Sequence, residues 1–368
     1  MKVLMISQAL TVGAYHGKLR ELSRLGVELT AVVPSQRGKQ RREIVESSEY
    51  ELVVAECIFS GANHFHFYPD IARIVGMRTW DLIHIDEEPF NFVTYSTLKA
   101  NTRSGIRKAV FFTWQNINKF YPPPFNYFER FAFQHVQAAI AGNEEAQSIL
   151  RTRRFPNPTT VIPQFGVDPE FFRKRNVRDL KSNLGLVDRF AIGYVGRIVK
   201  EKGISDLVRA MVSLPEKCVL VIVGSGPFEP KVRQLAESLG VAPRIQWIAH
   251  VSSLEIPNYM NLLDVLILPS RTTRRWKEQF GRVLVEAMAC ETPVVGSSSG
   301  EIPRVIGEAG LVFPEGDVRV LADQLRHLCE SRDYRVGLGV KGRARVLENF
   351  THRRIAEQTV GFYRQVVN

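Results

Sequence analysis

Two carboxylates, Glu278 and Glu286, bracket the start of a stretch that runs without a breaker from Gly281 to Cys290 and stops before Pro293. Such a run predicts a helix beginning near Gly281. Glu278 then lies in the loop at the helix N-terminus, and Glu286 one to two turns inside. The first N–H groups of a helix lack partners within it and suit phosphate oxygens. A carboxylate cannot bind phosphate, but it accepts hydrogen bonds from the paired hydroxyls of a ribose. The arrangement therefore suits a nucleoside diphosphate with a sugar at its end. An ordinary amphipathic helix with two solvated glutamates fits the same spacing.

A second set of charged groups lies upstream, in Phe190 to Gly203. Its apolar run reads as a buried strand, Gly196-Arg197 as the exit, and Lys202-Gly203 as the lead into a helix. Arg197 offers a fixed fork to phosphate oxygens and Lys202 a movable point charge. Together they can neutralise a diphosphate as it leaves; a pair of surface cations is the plainer reading.

These residues need a scaffold. Residues 1–165 alternate short strands and helices, the pattern of a doubly wound α/β domain. Val3 to Ser7 reads as a strand, Lys18 to Leu25 as a helix ended by Gly26, and Val27 to Val33 as a strand stopped by Pro34. Gly13 sits past the first strand, where ligands approach an open parallel sheet; a plain turn glycine is equally compatible. Asp81 to Asp86 is a further strand, followed by Glu87-Glu88-Pro89. Three carboxylates in a row can hold a metal or sugar hydroxyls, but no second ligand cluster accompanies them. No metal is expected, and a solvated loop is the reading preferred. Val110 to Thr113 is the next strand, with Trp114-Gln115-Asn116 at its end, and Asn143 is placed to cap a helix.

Arg37 to Arg42 reads as a basic loop. Between Pro89 and Arg130, Lys99, Arg103, Arg107, Lys108 and Lys119 adjoin the aromatic run Phe120 to Phe128 around three prolines. Such a stretch can dock on anionic lipid headgroups, though a loop packed back on its own domain is preferred. Charged Arg173 to Lys181 reads as linker. Beyond it, Val219 to Val223, Ile245 to Ala249 and Asp264 to Ser270 read as strands. His250 and Val251 follow the second of these. Arg271, Arg274, Arg275 and Lys277 make the loop before Glu278 strongly basic, suited to an acidic acceptor or simply solvated. Thr351 to Val367 is helical.

Glu278-Gln279-Phe280-Gly281 and the following Glu286-Ala287-Met288-Ala289 resemble the E-x7-E motif of the family-4 retaining glycosyltransferases. Gln279 and Glu291 stand where that motif usually has glycines. Gly196-Arg197 with Glu201-Lys202-Gly203 resembles the family's GRxxxEKG, Ile162-Pro163-Gln164-Phe165-Gly166-Val167-Asp168 its IPNGVD crossover, and Pro293-Val294-Val295 with Gly300-Glu301 its PVV…GGxPE element. The resemblance covers essentially the whole chain and is strongest over 161–313. It implies the α/β GT-B fold, two Rossmann-like domains facing across a cleft. An acceptor-side domain would span 1–170 and a nucleotide-sugar domain 171–350, with a helix over 351–368 returning to the first.

It also implies the chemistry: transfer from a UDP- or GDP-sugar to an acceptor hydroxyl, with retention and without metal or cofactor. Glu278, Arg197 and Lys202 would be catalytic. Gly13, Gln115, Val251, Phe280, Gly281, Arg282 and Glu286 would hold the donor, Val251 through its main chain. Gln115 stands where relatives carry a histidine facing the reacting sugar; an amide can hydrogen-bond a hydroxyl but is no base at neutral pH. The acceptor would be a sugar, a lipid-linked sugar or a small-molecule aglycone.

Composition bounds the alternatives. The chain has 368 residues, 45% hydrophobic and 24% charged, an ordinary globular balance with room for two domains. Cys57, Cys218, Cys290 and Cys329 are widely separated and form no metal-type spacing. With no secretory h-region at the start, a cytoplasmic setting is expected, with peripheral contact at the inner membrane face as an option. The net charge of +11 is spread along the chain, without a nucleic-acid-binding motif. A phosphorylated donor, an anionic acceptor or an acidic membrane fits it better than nucleic acid. Two rivals remain: a non-catalytic sugar-nucleotide binder, favoured by Gln115 and the sparse Gly13 loop, and a nucleotide-sugar epimerase.

Overall fold

The computed structural model describes the chain apart from Lys39, Glu46, Asn63, Ile106, Arg107 and His250. Lys39 of the basic 37–42 loop, Arg107 of the 89–130 stretch, and His250 therefore lie outside the described residues. The chain divides into two compact units: residues 1–166 with 352–368, and residues 167–351. The sequence reading set the corresponding limits at 170 and 350.

The first unit holds strands β1 (Lys2–Ile6), β2 (Glu28–Pro34), β3 (Gln36–Arg37), β4 (Gln40–Arg41), β5 (Glu51–Ala55), β6 (Leu82–Ile85), β7 (Lys108–Thr113), β8 (Ala138–Ala141) and β9 (Thr159–Val161). Between them lie helices α1 (His16–Arg24), α2 (Ile71–Gly76), α3 (Phe92–Arg103), α4 (Phe125–His135) and α5 (Glu144–Thr152). Seven strands form one parallel sheet in the order β5-β2-β1-β6-β7-β8-β9. The nearly unbroken apolar strands follow from burial on both faces. Val3 and Met5 enter one core layer with Leu19 and Leu22 of α1. Leu4 and Ile6 enter the other with Ile74 of α2 and Leu98 of α3.

The second unit holds α6 (Arg178–Asn183), β10 (Phe190–Val195), α7 (Ile204–Ala210), β11 (Cys218–Val223), α8 (Glu229–Ser238), β12 (Ile245–Ile248), α9 (Ile256–Leu262), β13 (Val265–Leu268), α10 (Arg282–Ala289), β14 (Val294–Ser297), α11 (Ile302–Ile306), β15 (Leu311–Phe313), α12 (Val318–Glu330) and α13 (Arg332–Asn349). Its parallel sheet runs β12-β11-β10-β13-β14-β15. Side chains alternate across it. Ile192, Tyr194, Val265 and Ile267 face α7, α8 and α12, whereas Ala191, Val221, Leu266 and Leu268 face α9, α10 and α11. The last helix, α14 (His352–Val367), belongs to the first unit. Its Ile355, Val360 and Tyr363 join the core beneath α1, and the Tyr363 hydroxyl hydrogen-bonds Nδ1 of His84.

Several local expectations change. The 89–130 stretch carries all of α3, then β7 and the start of α4. Its aromatics pack on one another, with Phe90 on Tyr121 at 4.1 Å and Tyr95 on Phe128 at 4.9 Å between ring centroids. Within the basic 37–42 segment, Arg37 belongs to β3, which pairs antiparallel with β4. Arg173 to Lys181 is no free linker: the Arg175 amide donates to Asn261 at 2.7 Å, and α6 starts at Arg178. The next strand, β8, begins only at Ala138, because α4 continues to His135. The Asn143 side chain accepts the Ala146 amide at 2.8 Å and caps α5.

Candidate active site

In the second unit, β10 and β13 are neighbours at the point where strand order reverses. Open parallel sheets bind ligands outside the carboxyl ends of the strands at that switch point. The two charged segments meet there. Lys202 arrives on the short 3₁₀ turn Lys200–Lys202 after β10, and Glu278 on the loop after β13. Lys202 Nζ lies 2.6 Å from Oε2 of Glu278, and the Ser270 hydroxyl donates to the same oxygen at 2.8 Å. Lys202 also sits over the Trp276 ring, 5.1 Å from its centroid. Arg197 is exposed at the exit of β10, its carbonyl held by the Tyr194 hydroxyl at 2.7 Å.

The Glu278 backbone is fixed as firmly as its side chain. Its carbonyl accepts the Glu301 amide at 3.2 Å, which ties the loop to the start of α11. The basic loop before it is also built rather than loose. The Thr272 amide and hydroxyl donate to Glu315 at 2.5 and 2.6 Å. The Thr273 amide donates to the Trp276 carbonyl at 2.8 Å.

Gly281, with φ of +79°, is the N-cap of α10, and the helix starts at Arg282. A left-handed conformation at this point is open to glycine at little cost. It turns the chain from the Glu278 loop into the helix. Phe280 packs against the β13–α10 core. Glu286 is one turn inside, and its Oε1 lies 2.8 Å from Nε of Arg282. Burial pushes the Glu286 carboxyl upward, while Arg282 opposes that shift. An enclosed carboxylate with one cationic partner remains able to accept hydroxyl hydrogen bonds. Val251 follows β12, half-buried against the same core layer.

The candidates of the first unit have different surroundings. The Gly13 amide donates to Oε2 of Glu43 at 2.7 Å, so a carboxylate already occupies that N–H. Gln115 is half-buried; its amide donates to Thr113 Oγ1 at 3.1 Å and its Nε2 to the Ile117 carbonyl at 3.2 Å. The Asp86–Glu88 loop, read as solvated, is instead packed into the carboxyl ends of the strands. Asp86 accepts from Ser7 at 2.7 Å and from Gln164 at 2.9 Å. Glu87 accepts from the Gln8 amide at 2.7 Å. Glu88 accepts from the Thr113 hydroxyl at 2.6 Å and the Trp114 amide at 2.8 Å. These carboxylates cross-link β1, β6 and β7, which is why three in a row are tolerated inside.

Burial pushes the Glu88 carboxyl up from 4.5 to about 7, although the bonds from Thr113 and Trp114 hold it down. Between those values the folded chain keeps a proton that the unfolded chain releases. Stability contributed by this group therefore falls as pH rises through that window. Glu88→Gln should remove that fall. In urea unfolding from pH 5 to 8, wild type should lose stability relative to the variant; parallel pH curves would contradict the assignment.

Sequence reasoning missed Ser270 and Trp276. A serine after a strand and a tryptophan in a basic loop carry no distinctive signal, and both matter only because the sheet places β13 beside β10.

Residues 177–345 match the family model described as Glycosyl transferases group 1, and residues 17–171 the one described as Glycosyltransferase Family 4. Among similar proteins is the capsular polysaccharide biosynthesis glycosyltransferase CapM of Staphylococcus aureus, 28% identical over 76% of this chain and 71% of that protein. Another is the GDP-mannose-dependent alpha-(1-6)-phosphatidylinositol monomannoside mannosyltransferase of Mycobacterium tuberculosis, 32% identical over 54% of this chain. The matched segment spans 54% of that relative's length. Anabaena Alr3699/HepE, solved in complex with UDP, superposes with a TM-score of 0.76 over 99% of this chain and 100% of its own, at 18% identity. That likeness concerns the fold, which is GT-B. With both units matched in sequence, the chain belongs to the family-4 glycosyltransferases.

Proposed function

We propose that the protein moves a sugar from a UDP- or GDP-sugar to an acceptor hydroxyl, with retention at the anomeric carbon and no need of a divalent cation. The observation that carries this reading is the Lys202–Glu278–Ser270 cluster at the sheet's switch point, next to the N-terminus of α10. The bond from the anomeric carbon to the diphosphate oxygen breaks, and negative charge builds on the leaving group. Lys202, Arg197 and the first amides of α10 stabilise that charge. Glu286 holds the ribose hydroxyls. Glu278 holds donor-sugar hydroxyls beside the developing oxocarbenium face. The acceptor oxygen bonds to the anomeric carbon from the side the phosphate leaves, and its proton passes to a phosphate oxygen.

In the ligand-free state Lys202 is paired with Glu278. Binding a pyrophosphate gives the ammonium a second anionic partner and relaxes its hold on the carboxylate. Acceptors consistent with the reading are sugars, lipid-linked sugars and small-molecule aglycones.

A melting experiment tests the donor half of this reading. A ligand that binds only the folded chain at 100 times its Kd adds about 2.7 kcal/mol of stability. Either UDP or GDP should raise the melting temperature of the wild type. Glu286→Leu should weaken that gain by at least about tenfold in affinity, the scale of a lost charge-assisted hydrogen bond. If neither diphosphate moved the transition, the donor assignment would be wrong.

A further inference from the structure

The turn that carries Lys202 toward Glu278 has a second face. Lys200, two residues earlier on the same 3₁₀ turn, lines a cavity of about 510 Å³ within the second unit. Ser205, Asp206 and Arg209 of α7 line it as well, together with Phe228 and Arg271. None of the residues assigned to the donor lines it.

Its charges are arranged, not scattered. Asp206 is buried and receives Arg271 through two contacts, Nε and Nη2 each 2.6 Å from a carboxylate oxygen. Arg209 Nη1 lies 3.4 Å from the same carboxylate. A single buried acid therefore holds two guanidinium groups at the cavity wall. Lys200 adds a third cation, and its ammonium has no ion-pair or hydrogen-bond partner among the described residues. Glu315, the other acid near Arg271, is taken up by the Thr272 amide and hydroxyl. Three cations against one carboxylate leave the cavity strongly positive. The Ser205 hydroxyl supplies a neutral donor. Phe228 supplies an apolar face, with Lys231 Nζ 5.9 Å from its ring centroid. Cavities of this size hold ligands of a few hundred Å³.

We propose that this cavity is a second anion site that takes a small phosphate monoester, its phosphate between Lys200, Arg209 and Ser205 and its organic body against Phe228. Guanidinium forks and a point ammonium together match a tetrahedral dianion better than a single carboxylate. The site is coupled to the donor cluster by the shared turn. Arg271 also donates its backbone amide to the Glu201 carbonyl at 2.7 Å, so one residue braces both the cavity wall and the segment bearing Lys202. Two sources share this chemistry: a phosphate carried by the acceptor, or a free phosphate ester that adjusts the donor site.

The test uses the full chain and two probes, inorganic phosphate and glucose 6-phosphate, followed by melting temperature at constant ionic strength. Lys202→Ala serves as background because it removes one of the two donor-site cations, Arg197 being the other. Both probes should still stabilise that chain. Adding Lys200→Ser and Arg209→Ser, both at exposed positions, should weaken their binding at least tenfold. The double variant without Lys202→Ala should keep its response to UDP or GDP, which separates failure here from failure of the donor assignment. Equal stabilisation with and without the two serine substitutions would overturn the site, as would no stabilisation of the background chain. The sources are then distinguished in a nucleotide-release assay with a sugar donor. Glucose 6-phosphate that gains a hexose mass is an acceptor. If it is recovered unchanged while the release rate shifts at least twofold, it is an effector. Binding with neither outcome would overturn the coupling to Lys202.

Discussion

Lys202→Ala is expected to lower turnover by roughly 10²- to 10³-fold, the loss typical of deleting one preorganised group that faces a developing negative charge. The effect on folding should be far smaller. Lys202 retains 22% of its side-chain exposure, so water can reach the Glu278 carboxylate when the ammonium is gone. Ser270 keeps its 2.8 Å hydrogen bond to the same oxygen. A fully enclosed ion pair would cost several kcal/mol when broken, but this one is partly solvated, and about 1 kcal/mol is the appropriate scale. Rate and stability thus separate, and a nucleotide-release assay beside a urea titration reads both. An unchanged rate would end the phosphate role of Lys202, whereas a rate loss matched by unfolding would reduce the residue to a structural part.

Gly300→Ala should do the opposite, damaging stability and turnover together. Gly300 has φ of +54°, and a Cβ there would stand 2.0 Å from the Glu278 carbonyl oxygen and 3.0 Å from its carbon. The left-handed conformation alone costs an alanine about 1–2 kcal/mol. The overlap is with backbone, which cannot swing aside as a side-chain tip can. Relief requires the 277–279 segment to move, and with it the Glu301–Glu278 hydrogen bond. A loss of about 3 kcal/mol or more is expected, in the range reserved for named backbone mechanisms. Misplacing Glu278 by about 1 Å can itself cost about 10²-fold in rate. Chemical denaturation and initial rates on the refolded variant test this. Wild-type stability in the variant would show that the two loops are not braced against each other.

Much of the scaffold was legible because burial on both faces forces a recognisable composition. Val3–Ile6, Val110–Thr113, Val219–Val223 and Val265–Leu268 are short apolar runs between breakers, and each is a central parallel strand. Edge strand β5 was not read. One side of it faces solvent, so Glu51-Leu52-Val53-Val54-Ala55 mixes exposed with buried positions and resembles a loop. Helix α3 was hidden for a related reason. Its Thr94, Thr97 and Asn101 are buried while its cations are exposed, which blurs the apolar stripe that marks a helix. The carboxylates 86–88 were misjudged because sequence shows charge but not the Ser7, Gln8, Thr113 and Trp114 partners that allow it inside.

The sequence alone determined which groups are available and how each is presented locally. A strand exit carries Arg197 and Lys202, a loop carries Glu278, and a helix start bears Glu286, because turn glycines and apolar runs act over a few residues. Tertiary structure decided which of them meet. Lys202 and Glu278 are 76 positions apart, and nothing between them specifies contact. They touch because strand order reverses between β10 and β13, bringing the ends of two non-consecutive strands to one edge. The same packing put Trp276 against Lys202 and turned Lys200 toward a separate cavity. Local propensity has a reach of a few residues, and only the burial of a common core carries information across the rest.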